Sequence, residues 1–232
     1  MVAQQLKNNG KGLILCNGEF GQRLLSHAVA AKLNYRTLEY AYGSLINLTE
    51  VEAVLQDQGD FDWLWLVHTE TSTGMMNDLL EIKALSKKNK LKICLDCVSS
   101  IGNVELDLSD VYLASASVNK GLGTYAGLAI IFYNHDIDGF EQTFPPSLNL
   151  INYANQRIPF TLSSHLINAL AAGLDWIQNC PHYTRIVLFN TVIRAELRKL
   201  NLRCLVDSDN SNPAVITIAL NKNQDSVKIG ED

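Results

Sequence analysis

Between residues 12 and 133, short and continuous apolar runs alternate with helical patterns, and this alternation is the strongest constraint on the fold. The apolar runs are GLILC, WLWLV, LKICL, VYLAS and GLAIIF. A strand with one face in water alternates apolar and polar residues, so continuous runs predict strands covered on both faces. Helical patterns such as QRLLSHAVAAKL and NDLLEIKALSKKN separate the runs. We therefore expect an α/β fold, with a mostly parallel sheet flanked by helices.

The pattern changes after about residue 140, which predicts a second unit. The stretch FEQTFPPSLNLINYANQRIPF is irregular and holds three of the five prolines. It is followed by two strongly helical segments, TLSSHLINALAAGLDWIQN and HYTRIVLFNTVIRAELRKL, and by the strand-like runs LRCLV and AVITIAL. We expect a central α/β domain over residues 1–145. Residues 146–232 would hold connecting helices and part of a smaller α+β C-terminal domain.

One helix start is marked by a specific signal. In LTEVEAVLQDQ, Thr49 and Glu52 have the S/T-x-x-E spacing of a capping box. In that arrangement the threonine hydroxyl caps the helix and the glutamate returns to the threonine N–H. The spacing predicts a helix that begins at Thr49.

Charge and hydropathy exclude several classes of partner. The formal net charge is −5, and no basic stretch is longer than KKNK, so we expect no nucleic-acid partner. No apolar run approaches the roughly 20 residues that cross a bilayer, and MVAQQLKNNGKG lacks the apolar core of a signal peptide. We expect no membrane partner.

The cysteines indicate a reducing compartment and no metal. There are five, an odd number with irregular spacing, which favours a cytoplasmic protein over a disulfide framework. Cys94 and Cys97 form a C-x-x-C pair, but side chains three apart on a strand point to opposite faces. We expect structural cysteines there and no metal site.

Four polar clusters fall where strands are predicted to end. They are NGEFGQR, HTETSTG, DCVSS and SVNKG. Because ligands of open α/β sheets bind beyond the carboxyl ends of the strands, these clusters predict one shared site. Two of them have simpler interpretations when taken alone: in DCVSS, Asp96 caps the next turn, and in HTETSTG the hydroxyls bind backbone groups and His68 is a hydrogen-bonded strand-end histidine.

Taken together, the clusters contain the groups that pyridoxal phosphate needs. Lys120 offers an amine for an imine, Asp96 a carboxylate for the ring nitrogen, and Phe20 a flat apolar surface. Burial and nearby positive charge would activate such a lysine as nucleophile and proton carrier. The chain has no G-x-G-x-x-G, no phosphate loop ending in G-K-[ST] and no G-x-S-x-G elbow, which disfavours other familiar sites.

The four clusters, in this order, resemble the class V, fold-type I, pyridoxal-phosphate aminotransferases. The similarity covers roughly residues 12–220 and is greatest to the alanine/serine–glyoxylate and 2-aminoethylphosphonate–pyruvate branches. Cysteine desulfurases share the fold but usually have histidines where this chain has Asn119 and Phe20. Transamination is therefore favoured over desulfuration.

The resemblance implies a role for particular residues. Lys120 would hold the cofactor as a Schiff base and move the substrate proton, and Asp96 would pair with the pyridinium nitrogen. Phe20 would stack on one face of the ring and Val98 would pack on the other. Thr71 would bind the phenolic oxygen.

The resemblance also implies a phosphate site and an assembly. Gly21 and Asn119 would lie near the cofactor, with Asn119 reaching the phosphate. Arg157 and Thr161, in QRIPFT, match a segment that a partner subunit contributes to the phosphate site. A homodimer with shared active sites is thus expected.

The implied activity is transfer of an amino group from a small amino acid to a 2-oxo acid of the glyoxylate or pyruvate type. The family's N-terminal phosphate loop and C-terminal carboxylate-binding arginine have no match here, so the chain is expected to be truncated at both ends. Two alternatives stay open. One is a catalytically weak or inactive relative that acts as a partner protein. The other is an unrelated α/β ligand-binding module whose Lys120 is an ordinary lysine.

Overall fold

The computed structural model describes residues 1–57, 59–137, 145–156 and 158–220. The strands are β1 Gly12–Cys16, β2 Tyr35–Glu39, β3 Trp63–Val67, β4 Thr69–Glu70, β5 Met75–Met76, β6 Lys92–Asp96, β7 Val111–Ser117, β8 Ala129–Tyr133, β9 Arg203–Cys204 and β10 Ile218–Ala219. The α-helices are α1 Val2–Leu6, α2 Glu19–Ala30, α3 Leu48–Asp57, α4 Leu79–Lys88, α5 Leu150–Asn155, α6 Ser164–Asn179 and α7 His182–Lys199. Within these ranges, no helix combines the length and the apolar character that a membrane span requires.

Six strands form a single sheet in the order β2-β1-β3-β6-β7-β8. The first five are parallel to their neighbours, and β8 pairs antiparallel with β7. The chain runs from β1 to β2 on one side and then returns to β3 on the other. The carboxyl ends of β1, β3, β6 and β7 therefore share one edge, next to the point where the strand order reverses. The expected mostly parallel sheet is confirmed.

Helices cover both faces of the sheet, and each face has its own apolar core. Along β1, Leu13 and Leu15 face the core under α3 and α4, whereas Ile14 faces the core under α1 and α2. Every residue of β1 and β3 is buried. This explains the continuous apolar runs, because the alternate side chains of each strand enter different cores. Cys94 and Cys97 likewise lie in the two different cores.

The start of α3 differs from the capping box predicted at Thr49. Asn47 Oδ1 accepts hydrogen bonds from the backbone N–H groups of Thr49 and Glu50, at 3.1 and 3.3 Å. Asn47 therefore caps this helix, two residues before the predicted position. Glu52 does not return to the helix start, because its carboxylate pairs with Lys88 of α4.

After β8 the chain forms α5, α6, α7 and the two-residue strands β9 and β10, which pair antiparallel. Buried Arg194 of α7 organises this part. Its guanidinium donates to the Val206 carbonyl at 2.9 Å, to Ser211 Oγ at 2.8 Å and to Asn190 Oδ1 at 2.9 Å. Both strand-like runs form strands, but shorter ones than expected. The boundary near residue 145 stays a prediction, and it adjoins residues 138–144, which lie outside the described ranges.

Candidate active site

The first turn of α2 presents Phe20 at the carboxyl edge of the sheet. This helix follows β1 after a tight turn, and its N-cap residue is Gly18, which has no side chain to cap the helix. The cap comes instead from the HTETSTG loop. Glu70 Oε2 accepts from the N–H groups of Phe20 and Gly21 at 2.9 and 3.0 Å, and Ser72 Oγ accepts from Glu19 N–H at 3.2 Å. Three of the four orphan donors of the helix start are thereby satisfied.

Two glycines permit this close approach. A Cβ on Gly18 would overlap the Glu70 side chain, and a Cβ on Gly21 would overlap Cys16 of β1. Gly18 has an extended backbone, so it is space rather than conformation that requires glycine. Gly21 therefore lies within the helix start, in contact with β1.

The turn after β7 carries Lys120 and is held by close backbone packing. A Cβ on Gly102 would overlap the Gly121 backbone, and one on Gly121 would overlap the Ile101 carbonyl. At the start of α7, His182 Nε2 lies 2.7 Å from the Gly102 carbonyl oxygen. The lysine turn is thus packed against the loop at residues 101–103, which α7 contacts in turn.

The Lys120 amine lies between Phe20 and the loop that follows β6. Nζ donates to Ser99 Oγ at 2.8 Å and is 5.3 Å from the centroid of the Phe20 ring. Ser99 is buried, whereas Lys120 is exposed. The amine is therefore oriented by the protein and open to a ligand.

Asp96 ends β6 beside β7 and interacts with a backbone N–H and with several charged groups. Its Oδ1 accepts from Val98 N–H at 3.0 Å, which is the turn-capping role. Burial raises the pKa of the Asp96 carboxyl, the Val98 hydrogen bond and the positive charge of Lys120 lower it, and the charge of Glu70 raises it further. Oδ2 has no hydrogen-bond donor among the described residues. This half-buried carboxylate, with one oxygen left without a donor in the described ranges, favours a cationic N–H partner.

In the HTETSTG loop the hydroxyls of Thr71, Ser72 and Thr73 behave differently. Ser72 Oγ donates to Glu70 Oε1 at 2.6 Å, and Thr73 Oγ1 donates to the Glu70 carbonyl at 3.1 Å. These two follow the simpler interpretation of the loop. Thr71 is half-buried, and its hydroxyl makes no hydrogen bond to any residue that the structure describes. Its hydroxyl therefore remains available to a ligand.

The remaining predicted residues are less closely associated. Val98 is half-buried on the turn after Asp96, and Asn119 is exposed, with its Oδ1 accepting from Ser117 Oγ. Thr161 is exposed before α6 and makes no hydrogen bond within the described part of the chain. Arg157 lies outside the described residues.

His68 differs from the hydrogen-bonded histidine expected from the sequence. Its backbone N–H donates to the Asp96 carbonyl at 2.8 Å, but the buried Nδ1 of its ring has no partner in the described ranges. Burial lowers the pKa of His68 to about 4, against a smaller opposing effect of Asp78. The ring is therefore neutral at pH 7.

Two further residues, which the sequence analysis did not identify, hold the site together. Glu70 is completely buried and binds α2 as described. Asn212 is also completely buried, and its Nδ2 donates to Thr69 Oγ1 at 2.9 Å and to the Ser99 carbonyl at 3.4 Å. The sequence does contain a signal for Glu70. A helix that starts after a glycine needs a hydrogen-bond acceptor from another part of the chain, and Glu70 is an acidic residue just after the neighbouring strand β3. Asn212 lies 113 residues from Ser99, and no local pattern marks it.

The sheet and its helices have the fold of the aminotransferases of fold type I. The solved alanine–glyoxylate aminotransferase from Nostoc sp. superposes with a TM-score of 0.86 at 22% identity, covering 99% of this chain and 65% of that one. At this identity the likeness establishes the fold alone.

The sequence comparison identifies the family. The model of the class-V aminotransferases matches residues 1–181, and the chain belongs to that family. It is 27% identical, over 96% of its length, to the bifunctional phosphonoacetaldehyde hydrolase/aminoethylphosphonate transaminase of Clostridioides difficile, and covers 37% of that protein. It is 23% identical to the 2-aminoethylphosphonate–pyruvate transaminase of Bacillus mycoides, covering 93% of this chain and 63% of the relative. The chain thus spans less than two thirds of these curated relatives.

Proposed function

We propose that this chain carries the cofactor-binding part of a pyridoxal-phosphate-dependent aminotransferase that moves an amino group from a small amino acid to a 2-oxo acid such as pyruvate or glyoxylate. The observation that carries the proposal is the position of the Lys120 amine, hydrogen-bonded to Ser99 Oγ and 5.3 Å from the Phe20 ring centroid. Asp96 lies on the adjacent strand and interacts electrostatically with the same amine. Family membership supports the same reaction class.

The residues present fit pyridoxal phosphate. Asp96 is a desolvated carboxylate with one oxygen that has no donor in the described ranges, which suits a protonated pyridine nitrogen. Phe20 is a half-buried aromatic ring beside the only amine that we assign to the site, and it suits stacking on the pyridine. Thr71 has a hydroxyl available for the phenolic oxygen.

When bound, pyridoxal phosphate supplies an electron sink for the carbanion that forms when the substrate Cα loses its proton. Lys120 would hold the cofactor through Nζ, and Nζ would carry the proton to and from the substrate Cα. Ser99 orients Nζ by accepting its hydrogen bond. Asp96 would keep the ring nitrogen protonated, and Phe20 and Val98 would pack against the ring and exclude water.

The phosphate site and the assembly are further parts of the proposal. Gly21 would lie near the cofactor and Asn119 would reach its phosphate, and Arg157 and Thr161 would act from a partner subunit of a homodimer. An exposed apolar stripe on α7, formed by the i, i+4 pairs Leu188–Val192 and Phe189–Ile193, supports association with another chain. All five cysteines are free, which supports a cytoplasmic location.

Covalent trapping tests the proposal. The purified chain is titrated with pyridoxal phosphate, reduced with borohydride and mapped by mass spectrometry. We expect the pyridoxyl group on Lys120, no labelling at this site in Lys120→Arg, and unchanged Lys120 labelling in the control Lys83→Arg. Lys83 is a suitable control because it belongs to α4, which carries no residue of the proposed site, and its amine pairs with Asp107 at 2.9 Å.

Turnover separates the remaining possibilities. Conversion of an amino donor by the labelled chain supports the aminotransferase, and labelling without conversion favours the catalytically weak relative. Labelling spread over surface lysines, with no preference for Lys120, contradicts the proposal.

A further inference from the structure

Glu70 is a buried carboxylate whose two oxygens each hold a different segment. Oε2 accepts from the N–H groups of Phe20 and Gly21, at 2.9 and 3.0 Å. Oε1 accepts from Ser72 N–H and Ser72 Oγ, at 3.3 and 2.6 Å. The residue is 0% exposed and forms no ion pair with a basic side chain among the described residues. Its negative charge is balanced by the N-terminal end of α2.

The two segments are the ones that carry the proposed ring contacts. Phe20 lies in the first turn of α2, and Thr71 lies on the turn between β4 and β5. Phe20 and Thr71 are 51 residues apart, and Glu70 bonds to both segments directly. No other described side chain makes hydrogen bonds to both Phe20 N–H and the turn that bears Thr71.

Resting on the proposed function, we propose that Glu70 is a positioning residue: it fixes the Phe20 ring and the Thr71 turn relative to each other and so sets how tightly the pyridine ring of pyridoxal phosphate is held. Glutamine cannot replace it, although it has the same shape. An amide has one accepting oxygen, so its NH₂ group would face either the two helix N–H groups or Ser72, whose hydroxyl can turn to accept from it but whose backbone N–H cannot. In either orientation at least one backbone N–H of the two segments loses its acceptor, which loosens that segment.

A matched control is available in α4. Asp78 caps that helix with a carboxylate that accepts from Leu80 N–H and Glu81 N–H, at 2.9 and 3.1 Å. It performs the same chemistry as Glu70 on a helix that carries no residue of the proposed site. Asp78→Asn therefore reproduces the general cost of weakening a carboxylate cap.

The first measurement needs no cofactor. Amide hydrogen exchange is followed by mass spectrometry on the full chain and on the Glu70→Gln and Asp78→Asn variants. We expect Glu70→Gln to accelerate exchange at Phe20 and Gly21, or at residues 71–74, by roughly tenfold or more. Asp78→Asn should change exchange only at the start of α4. Unchanged exchange at both segments in Glu70→Gln overturns the proposal.

The second measurement uses pyridoxal 5′-phosphate. We expect Glu70→Gln to be labelled at Lys120 after borohydride reduction, with roughly tenfold weaker binding and at least a twofold smaller visible circular dichroism per bound cofactor. Wild-type affinity and signal in Glu70→Gln, or equal losses in Asp78→Asn, overturn the proposal. Failure of the wild-type chain to be labelled at Lys120 instead overturns the proposed function, and the exchange measurement still decides whether Glu70 positions Phe20.

Discussion

Asp96 has a structural role as a turn cap and a proposed chemical role at the ring nitrogen, and the two can be separated. Asp96→Asn keeps an oxygen that can accept from Val98 N–H but removes the charge that would hold a proton on the ring nitrogen. We expect Lys120 to be labelled as in the wild type, with transamination reduced by about tenfold or more. Asp96→Ala should lose turnover and, because the turn cap is also lost, about 1 kcal/mol of stability. If the turnover of Asp96→Asn stays within tenfold of the wild type, Asp96 has only the capping role.

At the scale of elements, the start of α3 offers a direct comparison of two caps. Asn47 Oδ1 accepts hydrogen bonds from two backbone N–H groups. Thr49, in contrast, is already the second residue of the helix. We expect Asn47→Ala to lower the free energy of unfolding by about 1 kcal/mol, measured by urea denaturation, and Thr49→Ala to lower it by less than about 0.5 kcal/mol. If Thr49→Ala lowers the free energy of unfolding more than Asn47→Ala does, the capping box predicted at Thr49 is correct.

Strands and helices long enough to show a hydrophobic pattern were predictable from the sequence, whereas very short ones were not. The runs that became β1, β3 and β6 are continuous because both faces are buried, and the sequence records this directly. The five-residue helix α1 is too short to show such a pattern in its sequence. It depends on a distant contact, in which buried Gln4 donates to Asn149 Oδ1 at 2.9 Å across 145 residues. The hairpin of β4 and β5 has two residues per strand, too few to show alternation.

The candidate site was predictable to the extent that parallel strands bring their carboxyl ends together. That rule places Lys120, Asp96, Phe20 and Thr71 at one edge, where the structure has them. The rule does not indicate which polar side chains already form hydrogen bonds within the protein and which remain free to bind a ligand. Whether a hydroxyl such as that of Ser72 binds a helix start or a ligand depends on packing in three dimensions, which a strand pattern does not encode.

For the whole molecule, His68 couples folding to pH. Its pKa is about 4 in the folded chain and 6.5 in the unfolded chain, so between these values the unfolded state binds more protons. Stability therefore falls as the pH falls through this window, by about 2 kcal/mol between pH 7 and pH 5. The raised pKa of Asp96 has the opposite effect on the pH dependence of stability. This effect is the same in the two histidine variants compared below.

Urea denaturation at the two pH values measures this effect. We expect His68→Gln to lose most of the pH dependence, and His165→Gln, which alters an exposed histidine of α6, to retain it. An undiminished dependence in His68→Gln would assign the effect to other groups.

The cap on α2 also sets an order of events during synthesis. Phe20 emerges from the ribosome 50 residues before Glu70, the side chain that closes its helix turn. Until the hairpin of β4 and β5 has been translated, the first turn of α2 has nothing to accept its N–H groups but water. A nascent chain arrested before residue 70 will thus hold this aromatic ring on a frayed helix end, and the site can form only after the third strand of the sheet has left the exit tunnel.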